Sequence, residues 1–228
     1  MASMDNALKS LLANNRQWAT SATDRDPEFF SRLVRQQRPE YLWIGCSDAR
    51  VPANDIVGLL PGELFVHRNV ANVVTHSDVN CQSVLQYAID VLKVKHVIVV
   101  GHYGCGGVQL ALNGPRSGGI ADFWLGHVRD VIGRHRELIA LVQDPDDKLD
   151  LVVELNTLEQ ALATCHSATL QAAWSRGQNV SVHAWAYDLH DGRVQTLGVS
   201  VNEPDDLKGL RDRVLSRVTA EHPSISED

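Results

Sequence analysis

Five residues in two short stretches could do chemistry together. Cys46, Asp48 and Arg50 follow directly on the apolar run Tyr41-Leu42-Trp43-Ile44. His102 and Cys105 sit in Gly101-His102-Tyr103-Gly104-Cys105-Gly106-Gly107, after the run His96-Val97-Ile98-Val99-Val100. Short apolar runs bounded by glycine read as buried strands, and open α/β sheets hold ligands beyond the C-terminal ends of their parallel strands. Zinc binds thiolate and imidazole, and a catalytic zinc keeps three protein ligands and one open position. Cys46, His102 and Cys105 would supply those three. Gly104 allows a tight turn. It would leave Cys105 at a helix N-terminus, where the dipole and free amides favour a thiolate and could hold an oxyanion. Asp48 could accept the hydrogen of a hydroxide held by such a metal and aim its lone pair at a substrate, with Arg50 keeping it ionised and oriented. Each residue also has a plainer reading: a lone cysteine as a small hydrophobe, a histidine as a capping group, Asp48–Arg50 as a surface ion pair contributing roughly 0–1 kcal/mol.

The elements that must position these groups can be read from pattern. Leu8, Leu11, Leu12 and Trp18 recur at helical spacing within 1–20, and Asp26-Pro27 opens a second helix to Gln37. Strands are expected at Tyr41–Gly45, Leu64–Arg68, Lys95–Val100 and Val180–Tyr187. Asp191-Gly192 signals a hairpin to a last strand, Val194–Val201. Helices are expected from Pro52 to Gly58, Val79–Leu92 with Asp78 as N-cap, Gly106–Leu112, Ala121–Val142, Asp150–Trp174 ended by Gly177, and Leu207–Val218. The tail from His222 should fray. Strands alternating with helices imply an α/β fold. It would have a mostly parallel central sheet with an antiparallel edge, helices on both faces and an N-terminal helical arm. One domain is expected, divided as arm 1–37, core 38–201 and tail 202–228.

Composition narrows the class. The chain has 228 residues, 44% of them hydrophobic, and a formal net charge of −7, which argues against nucleic acid or a membrane surface as partner. Leu8 to Ala13 is too short and polar for a secretory signal, and no run could span a bilayer, so the cytoplasm is the expected compartment. The four cysteines, Cys46, Cys81, Cys105 and Cys165, are expected reduced there. Cys81 and Cys165 read as buried apolar thiols.

Cys-Ser-Asp-Ala-Arg followed by His-x-x-Cys-Gly-Gly resembles the β-class carbonic anhydrases. The likeness runs through Pro61-Gly62-Glu63-Leu64-Phe65-Val66-His67-Arg68-Asn69-Val70-Ala71-Asn72, Glu154-Leu155-Asn156 and His183-Ala184-Trp185-Ala186-Tyr187. It covers about 35–201 and looks closest to the bacterial members. It implies one zinc ion per chain on Cys46, His102 and Cys105, and hydration of carbon dioxide to bicarbonate and a proton. It also implies self-association as a dimer or as a tetramer of paired dimers, and an apolar pocket between chains. Phe65, Val70 and Tyr87 match pocket-lining positions, Gln37 matches a substrate-binding glutamine, and Gly106 an amide near the bound anion. Without the resemblance, Phe65, Val70 and Tyr87 read as core. Trp43, Arg68 and Tyr187 match a regulatory bicarbonate pocket of some bacterial relatives; by themselves they read as core residues and a buried ion pair. His67, His76 and His127 are candidate proton shuttles. The rival readings are hydrolysis of carbonyl sulfide or carbon disulfide, a silent zinc-stabilised interaction module, and a phosphate-binding loop at Gly104–Gly107, which lacks the P-loop lysine.

Overall fold

A computed structural model describes residues 5–35, 38–48, 50–116 and 118–221. The chain divides into two compact units, up to residue 37 and from 38 onward. In the first, α1 (Asn6–Arg25) is capped by Asp5, and α2 (Phe29–Arg35) follows Asp26, which accepts from the Glu28 amide and pairs with Arg32. Trp18 meets Phe29 and Phe30 edge-on, with ring centroids 6.4 and 5.6 Å apart. Gln37, the expected end of the second helix, and the tail from His222 lie outside the described residues.

The second unit is built on a five-stranded sheet in the order β2-β1-β3-β4-β5. Its strands are β1 (Tyr41–Cys46), β2 (Leu64–Asn69), β3 (His96–His102), β4 (Ser181–Tyr187) and β5 (Val194–Val201). The first four are parallel and β5 runs antiparallel to β4. From Leu42 to Cys46 and from Val97 to His102 every residue is buried, as expected for central parallel strands covered on both faces. Around the sheet run α3 (Ala53–Val57), α4 (Val79–Gln86), α5 (Gly106–Asn113), α6 (Ile120–Trp124), α7 (Gly126–Arg134), α8 (Arg136–Leu141), α9 (Pro145–Cys165), α10 (Ala168–Ser175) and α11 (Leu210–Glu221).

Three helix expectations change. Ala121–Val142 is three short helices, α6 to α8, broken at Leu125 and at His135, whose backbone leaves the helical region (φ −109°, ψ 21°). His135 there sits 3.0 Å from buried Glu159, and a buried carboxylate needs such partners more than a helix needs one turn. The predicted Asp150–Trp174 helix begins earlier, with Asp144 capping and Pro145 opening α9, and stops at Cys165. The Ser167 hydroxyl then accepts from the Leu170 amide to start α10. Val79–Leu92 is α-helical only to Gln86; a wider π-turn, Tyr87–Leu92, follows and Lys93 closes it at φ 59°. The last helix is α11, entered through a 3₁₀ turn at Pro204–Leu207.

Helix α9 is buried on nearly every side and lies against β3 and β4. Contact is close because residue 101 is glycine: a Cβ there would collide with the Thr157 hydroxyl and come within 3.1 Å of Val153. On the outer end of α9, half-buried Asp150 has its carboxyl pushed up to about 6 by burial and then by Glu154, Asp188, Asp147 and Asp146. Between the ordinary 3.8 and 6 the folded chain binds more protons than the unfolded one, so stability falls as pH rises through that window. Asp150→Asn is therefore expected to stabilise the fold at pH 8 by about 1 kcal/mol, allowing for solvent screening. The gain should vanish near pH 3.5 in urea unfolding curves.

Candidate metal centre

Adjacent parallel strands β1 and β3 end side by side, and their last residues are Cys46 and His102. Gly104 at φ 66° turns the chain so that Cys105 is the N-cap of α5. The ligand atoms of Cys46, His102 and Cys105 all lie within 4.8 Å of one another, all three side chains being buried. The two sulfurs are 3.8 Å apart. The Nδ1–H of His102 donates to the Tyr103 carbonyl at 3.2 Å, since a carbonyl can only accept. Nε2 therefore carries the lone pair, and it is buried with no hydrogen-bond partner. A buried imidazole nitrogen left unpaired is costly, and here it faces two thiols. That donor set fits zinc, which favours sulfur and nitrogen at about 2.0–2.3 Å.

The electrostatics favour thiolate. Cys46 is held well below the ordinary thiol range, first by the Cys105 S–H and then by the amides of Asp48 and Ala71, each 3.4 Å from its sulfur. Cys105 is pushed up by the Cys46 thiolate and by burial, while the amides of Gly107 and Val108 at the start of α5 work the other way. Two thiols sharing one proton is the expected state without a cation, and a metal ion removes the second proton.

Asp48 and Arg50 form a two-pronged pair, with Nε and an Nη donating to the two carboxylate oxygens at 2.9 and 2.8 Å. The Arg50 bonds hold Asp48 below the usual carboxylate range.

Arg68 makes no ion pair among the described residues. Its guanidinium donates to the carbonyls of Cys46 (2.7 Å), Asp48 (3.3 Å) and Val51 (3.4 Å). Trp43 is buried and meets Trp185 edge-on. Its indole lies over Gly45, where a Cβ would come within 2.5 Å of the indole nitrogen. Trp43, Arg68 and Tyr187 line one cleft together with Cys46, Asp48, Arg50 and His102.

Phe65 and Tyr87 meet with ring centroids 5.9 Å apart. Tyr87 and Val70 are more than 40% exposed, so they are not the core residues that hydrophobicity alone suggested. Gly106 is the first residue of α5. Gln37 lies outside the described residues. Of the shuttle candidates, His67 is buried, while His76 and His127 line a different pocket with Glu159 and Arg211.

Sequence reasoning missed the clamp behind Cys46. Ala71 and Asn72 adopt left-handed backbone at φ 63° and 45°, a strained state for non-glycine residues that the surroundings must impose. Asn156 on α9 donates to the Ala71 carbonyl at 3.0 Å, and Trp124 to the Val70 carbonyl at 2.9 Å. Gln160 accepts from the Val74 amide and donates to Asn156. This turn aims the Ala71 amide at the Cys46 sulfur. Asn156 and Gln160, amides four apart on one face of α9, were the available signal.

Comparisons with known proteins agree with this site. A family model described as carbonic anhydrase matches residues 41–194. A carbonic anhydrase of Emericella nidulans is 44% identical over 189 residues, covering 83% of this chain and 82% of that protein. One of Candida albicans is 35% identical over 212 residues, 92% and 75% of the two chains. Among solved structures, a Coccomyxa β-carbonic anhydrase in complex with acetazolamide superposes with a TM-score of 0.84 at 37% identity, covering 94% of this chain and 98% of that one. A tetrameric β-carbonic anhydrase from the filamentous ascomycete Sordaria macrospora gives 0.81 at 37% identity, with 86% and 100% covered. A mostly parallel sheet with this Cys-His-Cys corner is the β-class architecture. The chain belongs to the carbonic anhydrase family. The two curated relatives are fungal, and the narrower likeness to bacterial members does not come out of these matches.

Proposed function

We propose that the chain catalyses reversible hydration of carbon dioxide to bicarbonate and a proton, using one zinc ion held by Cys46, His102 and Cys105. The observation that carries this is the unpaired, buried Nε2 of His102 converging with two thiols, in a member of this family. Zinc in such a site lowers the pKa of a water at its open position from 15.7 toward about 7, supplying a nucleophile. Two thiolates cancel the ion's charge more fully than neutral ligands would, so activity should rise above neutral pH. Each Asp48 oxygen bound to Arg50 keeps a free lone pair with which to accept the nucleophile's hydrogen and orient it. Phe65, Val70 and Tyr87 offer an apolar wall to a linear, uncharged substrate, Gly106 offers an amide to the product anion, and Gln37 is assigned a substrate hydrogen bond. Metal analysis with a carbon dioxide hydration assay tests the reading. A purified chain that binds no zinc, or binds it and gives no acceleration, overturns it.

Dimers pairing into tetramers belong to the same proposal. The edge strand β2 and the segment after it expose Val66, Val70, Val79, Tyr87 and Val91, and α6 exposes Phe123 at 83%. Unpaired sheet edges and apolar patches of this kind call for a partner surface, and the Sordaria relative is tetrameric. Cytoplasmic residence is also part of the reading. No described helix is long and apolar enough to cross a membrane, and the four cysteines are free and buried, which fits a reducing compartment.

The bacterial-type reading enters through bicarbonate regulation. The cleft at Trp43, Arg68 and Tyr187 is about 20 Å³, on the order of one water. Bicarbonate therefore needs Arg68 to turn toward it, giving up the carbonyls of Cys46, Asp48 and Val51. Those carbonyls anchor the segment that carries Asp48, so the anion would favour a state in which Asp48 leaves Arg50 and closes the metal's open position. Low pH would favour the same state. Added bicarbonate is expected to depress the rate of the wild type most below pH 7.5, and Trp43→Phe to lose that sensitivity. A wild type insensitive to bicarbonate at every pH would remove the regulatory reading.

A further inference from the structure

A second convergence of ligand atoms lies away from the first. His67 on β2, Asp78 at the N-cap of α4 and Cys81 in the first turn of that helix bring an imidazole nitrogen, a carboxylate oxygen and a thiol sulfur within 4.8 Å of one another. We propose that His67, Asp78 and Cys81 form a second metal site, which takes a divalent ion of the zinc class.

The donor set supports that class of ion. Imidazole and thiolate select zinc-like metals, and a carboxylate completes a set that zinc accepts. With Asp78 and Cys81 ionised and His67 neutral, the ligand charge of −2 balances a divalent ion. The imidazole is held neutral. Asn69, fixed by two bonds to Val73, turns its Nδ2 toward His67 Nε2 at 3.3 Å. An amide nitrogen only donates, so that ring nitrogen carries no proton, and a metal ion would take its single lone pair in exchange for this long 3.3 Å bond. Burial pushes the His67 pKa down as well. Asp78 accepts the Asn80 amide with one oxygen at 3.0 Å and keeps further lone pairs. Cys81 is fully buried, and without a cation its thiol is pushed up to about 12 by burial and by Asp78. Binding breaks the S–H bond, forms the sulfur–metal bond and sends one proton to the buffer. Donors in a tetrahedral zinc site sit ~3.5 Å apart, given bonds of about 2.0–2.3 Å, so the side chains need close by little more than 1 Å.

The test is metal stoichiometry of the full chain, stripped with chelator, reloaded with zinc and freed of excess by gel filtration. Two ions per chain are expected in the wild type. Asp78→Asn should hold one; asparagine is as good an N-cap as aspartate, so helix α4 stays capped. Cys81→Ser should also hold one. Cobalt reloading of Cys105→Ala should leave a single ion with a thiolate-to-cobalt absorption band, which disappears when Cys81→Ser is added. One ion in the wild type at saturating zinc that Asp78→Asn still holds, or two ions retained in Asp78→Asn, overturns the second site. An empty first site in the wild type with one ion lost in Asp78→Asn would instead overturn only the assignment of zinc to Cys46, His102 and Cys105.

Discussion

Replacing Cys105 with alanine is expected to take the ion from the Cys46–His102–Cys105 site and carbon dioxide hydration to the uncatalysed background. Cys105 supplies one of three donors, and its sulfur is 3.8 Å from that of Cys46. With two donors left, the site has neither the count nor the charge of a zinc centre. Enzymes accelerate their reactions by at least ~10⁶-fold, and nearly all of that is at stake in one side chain. Atomic absorption and stopped-flow hydration on the same sample check it. Retention of both zinc and rate would refute the ligand assignment. The fold itself should survive, because Cys105 makes no side-chain cap bond at the start of α5.

Arg50→Ala is the second large effect, with a different signature. The guanidinium is more than half exposed and its pairing with Asp48 is a surface ion pair, so stability should barely move. Zinc should stay, since neither residue belongs to the ligand set. Turnover, by contrast, should drop by a factor on the order of 10²–10³, the usual cost of losing one preorganised group at a reacting centre. Asp48→Asn should cost about as much, and the double variant little more than either, because both act through one carboxylate. Steady-state rates with unchanged metal content decide this. Additive losses would mean that the two residues do separate jobs.

The centre was legible because its chemistry is carried by rare residue types at turn-forming glycines. Cys46, His102 and Cys105 needed only two strand ends to be neighbours, and the apolar runs before them announced both strands. The pocket residues were legible only by resemblance. Phe65, Val70 and Tyr87 have no chemistry that sets them apart from core residues, and exposure is a property of the folded surface. The helices failed for two different reasons. Nothing local to His135 says that it leaves its helix for Glu159, 24 residues on, whereas the Ser167 cap on the Leu170 amide is local and is a signal that an unbroken apolar pattern masked.

By itself the sequence determined the strands and their order along the chain, the α/β class, the burial of the central strands and the candidate donors, because each depends on short-range pattern or on chemical type. Tertiary structure alone decided the state of those donors. The lone pair of His102 Nε2 is known only once Nδ1 is seen donating to a carbonyl. Cys46 is favoured as the thiolate first by Cys105, and it gains the Ala71 amide as well only when the strained turn there is held by Asn156, 85 residues away along the chain. Arg68, which looked like half of an ion pair, binds three carbonyls of the segment that carries Asp48. For Cys46 and Arg68 the deciding partner is distant in sequence, and hydrogen bonding is directional over about 3 Å, so only packing α9 and β2 around the ends of β1 and β3 brings those partners within reach; for His102 the partner is the next residue, and the fold fixes its direction.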